Sequence, residues 1–178
     1  LLTACRSSFE QVRLSNDPPL ILTESIKFYD KGDYLRAQTL MELILNQYRG
    51  TREGEELFFK YSYTHYHLGS YALAATYFTN FSSTFAYSNY AEEADFMAAT
   101  SYYMQSPSFR LDQDPSTAAI DAYQDFANKY PDHFTSSNIY YGYMDMSYFA
   151  FFPKSLKDRN LKIAIVFIHD TFQFEVWL

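Results

Sequence analysis

Two six-residue stretches share one pattern, 37 residues apart: Gly32-Asp33-Tyr34-Leu35-Arg36-Ala37 and Gly69-Ser70-Tyr71-Ala72-Leu73-Ala74. The shared pattern is Gly-x-Tyr-x-x-Ala. A further advance of 37 residues reaches Ser106-Pro107-Ser108, which also has the composition of a turn. Self-similarity at a fixed period of this length is typical of arrays of small structural units. Each stretch is therefore predicted to be a turn between two helices.

The residues on both sides of these turns recur in register. A small residue occupies one position of each first helix, where helices pack closely: Ser25, Ser62 and Ala99. An apolar stripe with helical spacing recurs in the second helices: Ala37, Met41 and Ile44; Ala74, Phe78 and Phe81; Ala119, Tyr123 and Phe126. In the third repeat the second helix starts later than the period predicts, because residues 106–115 contain an insertion. We predict six helices over residues 20–135, turns at Gly32, Gly69 and across 106–114, and no strand within 20–105.

The small residue, the Gly-x-Tyr-x-x-Ala turn and the closing Pro131 resemble the tetratricopeptide repeat. The predicted fold class is all-α, a helical solenoid with three recognisable helix pairs over residues 20–137 and a divergent C-terminal segment over 138–178. In such arrays each unit buries its apolar stripe against its neighbours, and the first helices line a concave groove.

Composition excludes several classes of protein. The hydrophobic fraction of 48% argues against a disordered chain, and the formal charge of −7 without a Lys/Arg cluster argues against nucleic-acid binding. A single cysteine excludes an intramolecular disulfide and any multi-cysteine metal site. No apolar run approaches the roughly 20 residues of a membrane-spanning helix.

The chain opens Leu1-Leu2-Thr3-Ala4-Cys5, which resembles the lipobox of bacterial lipoproteins. In that motif an apolar residue and two small residues precede a cysteine that is acylated and becomes the mature N-terminus. The expectation is a lipidated Cys5, followed by a polar tether over residues 6–19. The alternative is an unmodified cysteine in a frayed N-terminus. By family resemblance, Arg6 in place of aspartate after the cysteine suggests retention in the outer membrane.

The repeat length, the lipobox and the inserted Asp112-Gln113-Asp114-Pro115 together resemble the family of BamD-like lipoproteins. That resemblance implies a lipid-anchored scaffold on the periplasmic face of the outer membrane of a Gram-negative bacterium. The implied partners are the barrel-forming subunit of the β-barrel assembly machinery and unfolded β-barrel precursors. The resemblance covers about residues 20–135. Residues 138–178 depart from it, and either a divergent helical pair or a truncated or altered end would explain the departure.

The candidate site is a peptide groove lined by aromatic side chains of the first helices: Tyr29, Phe59, Tyr63, Tyr66, Phe96 and Tyr103. Tyrosine offers a large apolar surface at low entropic cost and a hydrogen-bonding tip. The competing interpretation is that these rings fill the space between stacked helices, as aromatic stripes at helical spacing usually do.

Neither a metal, a cofactor nor catalysis is expected. His65 and His67 lie two positions apart and should point to different faces of a helix, whereas zinc ligands on one helix are four positions apart. No nucleophile–base arrangement or phosphate-binding glycine motif is present. Two other classes of protein remain: a periplasmic tetratricopeptide protein that coordinates the cell envelope or division, and a SusD-type glycan-binding lipoprotein.

Overall fold

The computed structural model describes residues 8–107, 111, 113–131, 134–136, 140–141, 146–153, 156, 161–168 and 173–177. The chain forms two compact units, Leu1–Ala98 and Ala99–Leu178. In the described residues, helices occupy the first part of the chain: α1 (Ser8–Arg13), α2 (Pro18–Asp30), α3 (Tyr34–Ile44), α4 (Arg52–His67), α5 (Tyr71–Thr84), α6 (Ala91–Tyr103) and α7 (Asp114–Lys129). Strands follow them: β1 (Phe134–Ser136), β2 (Tyr140–Tyr141), β3 (Met146–Pro153), β4 (Ile163–Ile168) and β5 (Gln173–Trp177).

The turns after α2 and after α4 have the same geometry. Gly32 and Gly69 both adopt the left-handed backbone conformation, with φ of 77° and 75°. In each turn the next residue donates its N–H to a carbonyl five residues back: Asp33 to Phe28 and Ser70 to His65, both at 2.9 Å. This is the Schellman arrangement, which favours glycine because a side chain at that position would be strained. The predicted turns at Gly32 and Gly69 are confirmed.

Side chains at the N-cap positions define where α2, α3 and α4 begin. Asp17, Asp33 and Thr51 accept hydrogen bonds from backbone N–H groups of the first turns of α2, α3 and α4. Each bond satisfies one of the donors that a helix start leaves unpaired. Pro18 and Pro19 add a preset φ at the start of α2, where a missing N–H costs nothing.

The positions that recur in the sequence form the core. The small residues Ser25, Ser62 and Ala99 are all buried. The stripe residues of the second helices are buried as well: Ala37, Met41, Ile44, Ala74, Phe78, Phe81, Ala119, Tyr123 and Phe126. Six helices fill residues 18–129, and no strand lies within 20–105, all of which the structure describes. The prediction of three helix pairs is thus confirmed at the level of its elements.

The first unit differs from the prediction at its start. Residues 6–19 were expected to form a polar tether, but Ser8–Arg13 is helical. Phe9 and Val12 from this helix pack against the core between α2, α3 and α4. Phe9 and Val12 are three positions apart, so one face of α1 can bury both side chains. Cys5 and the lipobox lie outside the described residues.

The second unit combines helices with an antiparallel sheet. Its strand order is β1-β3-β4-β5, and β2 pairs with another part of β3. The register pairs Tyr148 with Val166 and Val166 with Glu175. Within this unit, Ile165 from β4 packs against the cluster formed by Ala99, Tyr123 and Ala127, so the sheet contacts the helices at this strand.

The all-α prediction is therefore wrong for the C-terminal segment. Residues 138–178 were expected to form a divergent helical pair or an altered end, and their described parts form strands. The physical reason is composition: β3 and β4 read MSYFAFFP and IAIVFI, rich in aromatic and β-branched residues that fit a pleated surface. Within β4, Ala164 and Val166 are buried while their neighbours are half-buried, the alternation of a strand.

Candidate functional site

Three of the predicted groove tyrosines meet on one face of the first unit. Tyr29 comes from α2, while Tyr63 and Tyr66 come from α4, and all three are half-buried. Their rings surround His67, with centroid distances of 6.5 Å, 5.8 Å and 5.9 Å respectively. Tyr34 completes the group by stacking on His67 at 4.0 Å. We call these five residues the aromatic face.

The 37-residue period appears again in this face. The ring of Tyr29 meets Tyr34 edge-on at 5.5 Å, and the equivalent ring of Tyr66 meets Tyr71 edge-on at 5.4 Å. Tyr34 and Tyr71 are the tyrosines of the Gly-x-Tyr-x-x-Ala pattern. The sequence pattern identifies them as turn residues, and their recurrence is the signal that also indicates their contact with Tyr29 and Tyr66. Such edge-to-face pairs hold rings in fixed orientations.

Glu93 of α6 binds the tip of one of these tyrosines. The hydroxyl of Tyr63 donates to the Glu93 carboxylate at 2.5 Å, which joins α4 to α6. Burial, followed by this hydrogen bond, raises the pKa of the Tyr63 phenol. Burial also raises the pKa of Tyr29 to about 12, with smaller contributions from Tyr34, Asp30 and Glu93. Both phenols therefore stay protonated as donors at physiological pH.

Lys60 provides the second link between first helices. Its ammonium lies 4.7 Å from the centre of the Tyr29 ring, a cation–π distance. It also lies 3.4 Å from a carboxylate oxygen of Asp30 and 3.6 Å from one of Glu56. Asp30 and Glu56 both lie near the Lys60 ammonium and Glu93 binds Tyr63, so these contacts contain three carboxylates and one ammonium.

The other predicted groove residues lie elsewhere. Phe59 is only 7% exposed and packs against Phe78, Phe81 and Tyr90, so it is a core residue and does not line an open surface. Its position faces α5, where the small Ala74 leaves room for the ring. Phe96 is 44% exposed on α6, one helical turn after Glu93. Tyr103, 36% exposed, belongs to the second unit.

The two histidines point in different directions, as predicted. His65 is buried, stacks on Tyr77 at 4.7 Å, and its Nδ1 lies 3.1 Å from the amide nitrogen of Gln38. His67 is exposed on the aromatic face. Burial lowers the pKa of both imidazoles. In the described part of the chain, no group of three His, Cys, Asp or Glu side chains could hold a metal ion.

A cavity of about 1010 Å³ opens at the start of α4, away from the aromatic face. Glu53, Glu55 and Glu56 line it together with the connection from Thr84 to Tyr90. The hydroxyl of Ser88 donates to the carboxylate of Glu55. This cavity contains none of the predicted groove residues, and the acidic side chains there also suit the N-terminus of α4.

The arrangement on the aromatic face is suited to holding an extended polypeptide. Tyrosine rings provide apolar contact, and their hydroxyls and the nearby carboxylates provide polar contact along the same surface. Because neighbouring rings and helices fix the rotamers, little side-chain entropy is lost on binding. The acidic surroundings favour a ligand that carries basic side chains. None of the helices in the described residues is long and apolar enough to cross a bilayer.

Two family models match the chain. The model described as an outer membrane lipoprotein, YfiO, matches residues 16–140, more than half of the sequence. A second model, for a domain of unknown function designated DUF7000, matches residues 121–178. The first match contains all of the helices from α2 to α7, including the aromatic face, and the second contains the sheet. No curated protein matches the chain.

Proposed function

The chain belongs to the YfiO family of outer membrane lipoproteins, and on that premise we propose that it is a periplasmic scaffold of the machinery that assembles β-barrels in the outer membrane. In this role it binds the barrel-forming subunit and unfolded barrel precursors. A lipid on Cys5 anchors it to the periplasmic face of the membrane. It acts by binding and not by catalysis.

One observation supports the binding role above the others. Tyr29, Tyr63 and Tyr66 come from different turns and helices, yet their half-buried rings share one face and one neighbour, His67. The two links, Lys60 with Asp30 and Tyr63 with Glu93, hold α2, α4 and α6 in register. An unfolded barrel strand alternates apolar and polar side chains, and this face offers both kinds of contact.

The experiment compares exposed and buried aromatic residues of the first unit. His67→Ala and Tyr66→Ala remove an exposed and a half-buried ring of the aromatic face, so they should weaken binding of a peptide from the C-terminal strand of an outer-membrane barrel protein. We expect the Kd to rise about tenfold, the effect of losing one good contact residue. The melting temperature should change little, because these rings bury less surface than core residues do. Titration by fluorescence anisotropy and thermal melting provide the two measurements.

Two control variants make the result interpretable. Leu73→Ala removes an exposed apolar side chain from the second helix α5, and it should leave both affinity and melting unchanged. Phe59→Ala truncates a core ring and should cost about 3–5 kcal/mol of stability, with binding falling only as the fold is lost. Unchanged peptide affinity in folded His67→Ala and Tyr66→Ala proteins would remove this face from the proposed function.

A further inference from the structure

The strand β5 is an open edge of the sheet in the second unit. In the described residues it pairs with β4 alone, along five residues from Gln173 to Trp177. The opposite edge differs, because two short strands of three and two residues each cover a separate part of β3. A five-residue edge presents backbone N–H and C=O groups that a further strand can pair with.

The side chains of β5 do little to block such pairing. Natural edge strands are usually protected by proline, by lysine or by a bulge, and the sequence QFEVW contains neither proline nor lysine. Val176 is 70% exposed and Trp177 is 46% exposed. The indole N–H of Trp177 donates to the carboxylate of Glu175 at 2.6 Å, so both side chains are held on one face of the strand.

A cavity of about 300 Å³ lies beside this edge on the same face. It is lined mostly by apolar side chains from β3, β4 and the edge strand β5, together with the residue before β4: Met146, Tyr148, Lys162, Ala164, Val166 and Trp177. The register explains this grouping, because Ala164 pairs with Trp177 and Tyr148 with Val166, so their side chains share one face. The cavity can accept an apolar side chain from a strand added next to Trp177.

We propose that β5 binds an extended segment of another polypeptide as an additional strand, with a basic residue opposite Glu175 and apolar residues opposite Val176 and Trp177. Backbone hydrogen bonds supply the attachment, and the alternating side chains supply the selectivity. This surface lies outside the aromatic face and goes beyond the function proposed above.

Electrostatic repulsion disfavours a second copy of this chain as the strand that pairs with β5. Pairing two β5 strands over all five residues, antiparallel or parallel, places Glu175 opposite Glu175. Like charges directly opposite each other destabilise a strand pair, whereas opposite charges stabilise it. The net charge of −7 adds long-range repulsion between copies and attraction for a basic segment.

The single tryptophan of the chain makes the proposal directly measurable. The probe is a synthetic peptide containing Tyr-Val-Lys-Val-Thr, which places lysine opposite Glu175 in an antiparallel register. When the peptide adds to β5 it covers the exposed part of Trp177, so the fluorescence emission should shift to shorter wavelength and saturate. The same peptide with N-methylated backbone positions lacks donors for strand pairing and should give no shift. An equal shift with the methylated peptide would overturn the proposal.

Charge reversal provides the second arm. Glu175→Lys should weaken binding of the lysine peptide about tenfold and should strengthen binding of the version with glutamate in place of lysine, since the cross-strand pair changes sign. Asp125→Lys, an equal charge change on the exposed face of α7, should alter neither affinity. Circular dichroism melting verifies that the variants fold. Unaltered peptide preference in a folded Glu175→Lys protein would contradict the proposal, as would a wild-type dimer in sedimentation that Val176→Lys dissociates.

The proposals for β5 and for the aromatic face can be tested independently. Glu175→Lys should leave the affinity for the barrel-derived peptide at the aromatic face unchanged, and Tyr66→Ala should leave the Trp177 shift unchanged. Loss of one signal with retention of the other identifies which proposal is wrong.

Discussion

A single buried imidazole shows how a repeat position constrains a residue. His65 occupies a column that holds rings in the other units, Phe28 and Tyr102, and it packs between Tyr61 and Tyr77. Its Nδ1 meets Gln38, but its Nε2 is buried without a hydrogen-bond partner in the described residues. Burial lowers its pKa, and Glu42 only partly opposes that effect. The folded protein therefore favours the neutral form of the His65 imidazole.

This packing predicts how stability depends on pH. The unfolded chain protonates His65 near the ordinary pKa of about 6.5, and the folded chain does so only at lower pH. The unfolded state therefore binds more protons as the pH falls below about 6.5, and the free energy of unfolding decreases there. His65→Phe removes this titration and suits the column, so it should flatten the loss of stability between pH 6.5 and the lower pKa. Urea unfolding at several pH values measures it.

The exposed neighbour serves as the control. His67 also has a lowered pKa, but its ring is exposed, so His67→Phe should change the pH dependence less than His65→Phe does. If the His65→Phe protein lost stability with falling pH as steeply as the wild type, the role assigned to the buried imidazole would be wrong.

At the level of elements, the helices were predictable from the sequence and the sheet was not. The column of Ser25 recurs at a fixed spacing, and the columns of Ala37 and Met41 recur in all three units, displaced only by the insertion, so three weak helical patterns reinforce one another. The strands β3 to β5 occur once, and no second copy supports their short alternations. Periodicity also could not separate Phe59 from Phe96, because both lie on first helices, and Phe59 is buried by tertiary contacts with α5 and with Tyr90.

Gly54, in the first turn of α4, tests how closely this helix packs against the connection that precedes it. A Cβ built on Gly54 would lie 1.9 Å from the carbonyl oxygen of Tyr48, in the connection between α3 and α4. Backbone at that distance must move. Gly54→Ala should therefore destabilise the protein by roughly 1–3 kcal/mol or more, although alanine normally stabilises a helix relative to glycine. Chemical denaturation gives the free energy of unfolding.

Gly69 is the matched control, because its backbone conformation and not a close contact requires glycine. Gly69 has open space around its Cβ position but a φ of 75°, so Gly69→Ala should cost only about 1–2 kcal/mol, from backbone strain. A Gly54→Ala protein as stable as the wild type would show that α4 does not press against Tyr48 as described.

Two family models match different parts of the chain, and their matches overlap over residues 121–140. The lipoprotein family model ends at residue 140, where β2 begins, and the second family model continues to residue 178. The tetratricopeptide resemblance could reveal the first region, since its motifs are local and repeated. It carried no information about the second, because β3, β4 and β5 pair in chain order but share no repeated motif.

Membrane attachment is the prediction that involves the whole chain. If Cys5 carries lipid, the first helix begins only three residues later, at Ser8, and its Phe9 packs into the first unit. The acylated terminus then holds that unit close to the membrane surface. Expressed behind a lipoprotein signal peptide in a Gram-negative host, the protein should incorporate labelled fatty acid and fractionate with the outer membrane. Multiple acyl chains are needed, because one chain gives only marginal binding.

Cys5→Ala should abolish the label and release the protein into the soluble periplasmic fraction, and Ser8→Ala should leave both unchanged. Affinity for the barrel-derived peptide should survive in Cys5→Ala, since the aromatic face begins at Tyr29, well beyond the anchor. Recovery of the barrel-forming subunit from detergent-solubilised membranes should fall with Cys5→Ala, because the anchor concentrates both proteins at one surface. Fatty-acid label retained by the Cys5→Ala protein would place the lipid elsewhere and would contradict this account of how the chain reaches the outer membrane.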